Sequence, residues 1–136
     1  MKKEINVAAV FMKDGEKVFL AQRPMDKHCG GQWEFFGGKL EIGETHEEAA
    51  VREAKEELNL DLEVENLKYF DEIRYEYEPF ILNMKLYEAV KWSGEFKKLE
   101  VADFAWVDVK DFDKIEIVEA DVELVEKVKN YISSSC

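Results

Sequence analysis

The 136-residue sequence predicts a mixed α/β sandwich: a central, largely antiparallel and partly parallel sheet, with one helix on each face. Three observations carry this expectation. Several extended segments are apolar on both parities or alternate apolar with polar residues, as strands with two or one covered faces do. Two segments instead repeat apolar residues at helical spacing, one from about His46 and one over Ala120 to Ile132. No internal repeat, low-complexity tract or linker interrupts the chain, so residues 1–136 are expected to form a single domain.

Taken in order, Glu4 to Lys13 is β-branched and apolar on both parities and reads as a strand covered on both faces. Asp14-Gly15 is a hairpin signal, so Lys17 to Gln22 is expected to return antiparallel. Arg23 then stands where the strand hands over to a loop, Pro24 to Gln32, that carries His28. Trp33 to Phe36 reads as a short aromatic strand feeding Gly37 and Gly38, with Trp33 in the core. Thr45 with Glu48 forms a capping box, which places a helix start at about His46. Ala50, Val51, Ala54 and Leu58 share that helix's apolar stripe, and Asn59 suits the left-handed position that ends it.

Asp61 to Tyr77 reads as one or two strands with Leu62, Val64 and Leu67 on the apolar side, and Glu78-Pro79 as a turn. Phe80 to Lys91 is the next long strand and ends in a Trp92-Ser93-Gly94-Glu95 loop. A strand from Phe104 to Val107 follows the loop Glu95 to Val101, and Asp121 can open the amphipathic terminal helix.

Thirty-one acidic and 19 basic residues give a formal charge of −12. Such a surface repels nucleic-acid backbones and anionic membranes, so a nucleic-acid polymer is not an expected partner. No stretch is apolar for long enough to span a bilayer and no leader is evident, so a cytoplasmic protein is expected. Cys29 and Cys136, one beside a glycine pair and one at the last residue, read as incidental free thiols.

The chemistry concentrates between Gly37 and Leu60. Glu53, Glu56 and Glu57 stand at i, i+3 and i+4, where like charges repel by roughly 0.2 to 0.5 kcal/mol per close pair. Hard carboxylate oxygens at one spot suit Mg²⁺ or Mn²⁺, and a glycine-rich loop beside them can add a carbonyl or approach a phosphate. A Glu-rich helix face can equally be a solvated one. The spacing of Gly38, Glu44, Arg52, Glu53, Glu56, Glu57 and Leu60 distinguishes the two, because it resembles the Nudix box: Gly, five residues, Glu, seven residues, then Arg-Glu-aliphatic-any-Glu-Glu-any-Gly-aliphatic. Ala54 is small where a larger aliphatic is usual, and Asn59 replaces the last glycine; neither is a ligand position. Gln22-Arg23-Pro24 and Trp33-Glu34-Phe35 ahead of Phe36-Gly37-Gly38-Lys39 look like the MutT-type branch, and the likeness covers nearly the whole chain.

The resemblance implies a Nudix-type α/β/α sandwich and a Mg²⁺-dependent hydrolase, with Mn²⁺ as a substitute, that converts nucleoside or deoxynucleoside triphosphates to the monophosphate and pyrophosphate. The substrate would be a small-molecule nucleotide, such as 8-oxo-dGTP or a CTP-like one, and the protein a monomer or homodimer. Glu53, Glu56, Glu57, Glu100 and the Gly38 carbonyl are the implied metal ligands, with Glu53 the first choice of general base and Glu100 the second. Arg23, His28, Glu34, Phe35, Phe36, Gly37 and Asp121 are expected to meet the substrate, Arg23 clamping phosphate and Phe35 with Phe36 bordering the base. An ionised Asp121 would favour base edges that present N–H, as in cytosine or amino-bearing purines. Glu44 and Arg52 are expected to pair and fix the loop against the helix. Other Nudix activities, on ADP-ribose, dinucleoside polyphosphates, capped RNA or isoprenyl diphosphates, and a non-catalytic nucleotide-binding module remain alternatives.

Overall fold

The computed structural model describes residues 2–134, so the Cys136 thiol lies outside the described residues. Strands β1 (Lys3–Phe11), β5 (Phe36–Lys39), β6 (Leu67–Glu76) and β7 (Phe80–Ala89) form a mixed sheet in the order β5-β1-β7-β6. The β1–β7 pairing is parallel and the other two pairings are antiparallel. A second sheet is antiparallel. Its central strand β3 (Lys17–Gln22) pairs with β8 (Asp103–Asp108), with the two-residue β4 (Trp33–Glu34) and with β2 (Lys13–Asp14). The expected hairpin return is therefore real only at its tip. Further along that edge β3 pairs with β4 at Ala21 and Gln22, and its other edge is taken over Lys17–Gln22 by β8, a partner far along the chain that satisfies its backbone.

Helix α1 (His46–Leu58) and helix α2 (Val122–Ser134) pack into different cores. Strand parity sorts the residues between them. On β1, Ala8 and Val10 face the cluster beneath α1, while Ala9 and Phe11 face the cluster beneath α2. On β3, Phe19 and Ala21 go to the first and Val18 and Leu20 to the second. This is why both strands are apolar on both parities. Helix α1 begins as its sequence requires, with the Thr45 side chain and Glu48 closing a capping box, and ends on Asn59 at φ 61°. Terminal helix α2 starts one residue after Asp121, which closes a 3₁₀ turn over Glu119–Asp121. Val64 lies in another 3₁₀ turn, half exposed, so the extended reading of 61–66 fails there and β6 starts at Leu67.

The same parity corrects the expected aromatic wall. Phe35 and Phe36 are neighbours in an extended segment and so point to opposite faces. Phe35 joins the core beneath α2, whereas Phe36 is fully buried beneath α1, edge-on to Phe19 at 5.9 Å between ring centroids. Phe36 cannot border a ligand. Deleting this buried ring leaves a cavity among Phe19, Ala50 and Ala54, so Phe36→Ala is expected to lower stability by about 3 to 5 kcal/mol in urea unfolding. A loss below about 1 kcal/mol would contradict its place in the core.

Candidate functional site

Helix α1 presses three buried alanines, Ala49, Ala50 and Ala54, onto the sheet, and small residues on that face let it lie close to β5. Two glycines of β5 are closely approached, one by the helix and one by the neighbouring strand. A side-chain carbon on Gly38 would collide with the carboxylate of Glu53, and one on Gly37 (φ 148°) would collide with the Ala8 carbonyl. Gly38 thus sets how near the Glu53 carboxylate comes to β5, and Gly37 how near β5 comes to β1.

Arg52 holds the loop that joins them. Its Nε and Nη2 donate to the two oxygens of Glu44 at 2.8 and 2.9 Å, and Nη2 also donates to the Lys39 carbonyl at 2.9 Å. Nη1 donates to Glu56 at 3.1 Å and lies 3.4 Å from Glu53 Oε2. The expected Glu44–Arg52 pair is therefore a fork with a third anchor on the strand end. Its hydrogen bonds pull the Glu44 carboxyl down to about 2.

At the other end of α1, the last carbonyls would be left without helical partners. The loop after β7 supplies them: Leu99 and Glu100 donate their N–H groups to the Glu57 carbonyl, at 3.1 and 3.2 Å, and Lys97 to that of Leu58 at 2.9 Å. This cap is what carries Glu100 to the edge of the acidic cluster. Glu53, Glu57 and Glu100 line one cleft of about 890 Å³, whereas Glu56 is exposed and held by Arg52 at its rim. Among the described residues, no three carboxylate or imidazole side chains are already gathered around one point.

Burial, with the repulsion of Glu56 and Glu100, raises the Glu53 carboxyl against the pull of Arg52. Glu57 goes further. Burial first, then the charges of Glu53 and Glu34, push it up to about 9, and its Oε2 is buried with no hydrogen-bond partner. An orphaned oxygen of this kind requires a proton or a cation.

A second, largely apolar cavity of about 380 Å³ opens beside the cleft. Val7, Ala9, Leu82 and Met84 form its floor, and His28, Tyr77 and Phe80 meet edge to face along its rim, with the His28 and Tyr77 rings 5.1 Å apart. Tyr77 and Phe80 were not foreseen, because they flank a turn distant in sequence from the acidic motif. Arg23, Glu34, Gly37 and Lys39 line both spaces and so form the neck between them.

Arg23 does not stand free for a phosphate as expected. Its Nη1 lies 3.1 and 3.2 Å from the two oxygens of Glu34, and its Nε donates to the His28 carbonyl at 2.6 Å. Asp121 is buried in the cavity wall, where its Oδ2 accepts the Phe35 N–H at 3.0 Å. Burial and the nearby Glu34 charge push Asp121 well above the usual carboxylate range, and burial pushes Glu34 up to about 7 against the attraction of Arg23.

The Glu44 pairing has a pH signature. Its folded pKa lies below the ordinary value, so the stabilisation is complete above about pH 5 and disappears as the pH falls toward 2. The difference in urea midpoint between the wild type and Glu44→Gln should therefore shrink on acidification through that window. A constant difference would place the effect elsewhere.

The sequence profile of the NUDIX domain family matches residues 2–128. An 8-oxo-dGTP diphosphatase from Proteus vulgaris is 37% identical over 95 residues, which span 69% of this chain and 83% of that protein. A CTP pyrophosphohydrolase from Escherichia coli K12 is 32% identical over 120 residues, 88% of this chain and 87% of that protein. Among solved structures, a MutT NUDIX hydrolase from Burkholderia pseudomallei superposes with a TM-score of 0.84 at 21% identity, over 93% of this chain and 99% of that one, a likeness of fold. With its acidic helix, glycine strand and cleft all inside the matched span, the chain belongs to the NUDIX domain family and is a Nudix hydrolase.

Proposed function

We propose that the protein hydrolyses a nucleoside or deoxynucleoside triphosphate to the monophosphate and pyrophosphate. One observation carries this reading: an apolar cavity with an aromatic rim opens, through a neck lined by Gly37 and Lys39, into an acidic cleft. A nucleoside fits the first space and its phosphates the second. The relatives that act on 8-oxo-dGTP and CTP support it. One apolar cavity opening on the cleft favours a mononucleotide over ADP-ribose or a dinucleoside polyphosphate, which carry two nucleoside-like ends.

Nudix hydrolases generally use divalent cations, and these residues suit one. The orphaned Oε2 of Glu57, with Glu53 beside it, offers the hard oxygen donors that Mg²⁺ or Mn²⁺ takes, and Glu56, Glu100 and the Gly38 carbonyl would complete the set. Such an ion supplies charge neutralisation and lowers the pKa of a coordinated water. The chain's own work is to orient and to move protons. Glu53, half-buried and shifted upward, accepts a proton from the attacking water, with Glu100 as the second candidate. Arg23 holds Glu34 at the neck, and Arg52 with Glu44 fixes the glycine loop.

Asp121 has a different part from the one its charge suggested. Of two carboxyls near one guanidinium, Asp121 is buried and Arg23 bonds only Glu34, so Asp121 is the one that holds a proton more readily. The Phe35 N–H occupies Oδ2, so a protonated Asp121 would carry its hydroxyl on Oδ1 and donate from the cavity wall. A donating acid reads a base carbonyl. The preference expected from an ionised aspartate is thus replaced by one for oxo-bearing bases such as guanine and its oxidised form.

The test is a panel of dCTP, dATP, dGTP, 8-oxo-dGTP and dTTP with Mg²⁺, scored for pyrophosphate against phosphate. Glu57→Gln should keep the fold and lose most turnover, and Glu53→Gln should lower kcat by about 10²- to 10⁴-fold with little change in KM. Release of phosphate alone, or full activity in Glu57→Gln, would defeat the reading. Asp121→Ala should compress the spread of kcat/KM across the panel by about 10- to 100-fold, whereas Asp121→Asn, which can still donate, should keep the rank order. An unchanged spread in Asp121→Ala would remove Asp121 from base selection.

A further inference from the structure

The acidic cleft presents five carboxylates, Asp26, Glu34, Glu53, Glu57 and Glu100, against three cations, Arg23, Lys27 and Lys39. Arg23 is occupied by Glu34 and the His28 carbonyl. Arg52, the other nearby cation, is consumed by Glu44, Glu56 and the Lys39 carbonyl. Among the described residues, ion pairs form at Lys2, Arg23, Arg52, Lys55, Arg74, Lys98, Lys114 and Lys127, but at neither Lys27 nor Lys39. In a chain of formal charge −12, two cations facing an acidic cleft without a carboxylate partner are positioned for an anion that arrives from outside.

Their places differ. Lys39 lines both the apolar cavity and the cleft, so it stands at the neck, where the phosphate nearest the nucleoside passes. Lys27 lines the cleft, as do Leu99 and Glu100, and does not line the apolar cavity. Its loop is tightly wound. The Lys27 N–H closes a turn onto the Pro24 carbonyl at 3.1 Å, and the Gly31 N–H returns to the Arg23 carbonyl at 3.0 Å. Gly30 packs so close to the Pro24 and Met25 carbonyls that no side chain fits there. The backbone that bears Lys27 is thus set at the cleft's lip rather than left to wander.

We propose that Lys27 grips the distal phosphates of the substrate and makes the cleft select a nucleoside triphosphate over the corresponding diphosphate. The inference rests on the nucleotide-hydrolase reading above and extends it to the length of the phosphate chain. The ammonium meets the phosphates that leave as pyrophosphate, where it offsets the carboxylates that would otherwise repel them. A nucleoside diphosphate ends short of it and gains less from the contact.

The experiment compares the wild type with Lys27→Ala, Lys27→Arg and Lys110→Ala, the last an exposed lysine outside both cavities that lowers the positive charge equally. Two quantities are read: kcat/KM for dGTP and dGDP, and pyrophosphate affinity by calorimetry with Mg²⁺. Lys27→Ala should lose about ten- to hundredfold in kcat/KM for the triphosphate and a similar factor in pyrophosphate affinity, with less than about a threefold change for the diphosphate. Lys27→Arg should restore both, and Lys110→Ala should leave both as in the wild type. Equal losses on tri- and diphosphate, or a Lys27→Ala profile matching Lys110→Ala, would overturn the assignment. A wild type that hydrolyses no triphosphate would refute the proposed function instead. Even then, pyrophosphate affinity decides Lys27, since equal binding by wild type and Lys27→Ala overturns its role.

Discussion

The site depends on how closely an acidic helix can lie against a strand. Glu53 and Glu57 repel each other and lose hydration as α1 packs down, so the arrangement opposes itself electrostatically. It persists because the opposite stripe of the same helix is buried: Ala49, Ala50, Ala54 and Leu58 have no exposed surface. A fully buried leucine alone contributes roughly 1.5 to 3 kcal/mol, several times a surface like-charge repulsion. Gly38 completes the constraint from the strand side, since a side chain there would meet the Glu53 carboxylate, and Gly37 lets β5 lie close to the neighbouring β1.

Both departures from the family pattern follow from that approach. Ala54, small where a larger aliphatic is usual, is buried against the sheet, so the packing there is tightened by proximity rather than by volume. Asn59 adopts the left-handed conformation that glycine would supply, and its side-chain amide also donates to the Glu95 carbonyl at 3.0 Å. A glycine could not make that bond. The substitution therefore helps to hold the loop that caps α1 and brings Glu100 to the cleft.

What was legible in the sequence was local or periodic. The capping box, the Asn59 stop, the two-faced strands and the Arg52–Glu44 spacing all express rules that act within a dozen residues. What was not legible needed partners distant along the chain. β3 pairs with β8 across some eighty residues, which no hairpin signal predicts. The engagement of Arg23 by Glu34 depends on β4 lying beside β3, and the burial of Asp121 depends on where the last helix docks. The split between Phe35 and Phe36 is the exception. Period-two alternation in an extended segment already forbids both from facing one ligand, so that error came from grouping residues by type instead of by parity.

The formal charge of −12 overstates the acidity that a phosphate chain meets. Charges over the rest of the surface act through solvent and are largely screened beyond about 8 Å at physiological ionic strength. Inside the site, burial itself works against the charge: it pushes the Glu57 carboxyl up to about 9 and raises Asp121 well above the carboxylate range, while Arg23 opposes the same effect on Glu34. A divalent ion entering with its nucleotide would displace the Glu57 proton and restore the carboxylate it needs as ligand. The desolvation that makes Glu57 unfavourable as an isolated anion is therefore also what leaves its buried oxygen unpartnered and open to a cation.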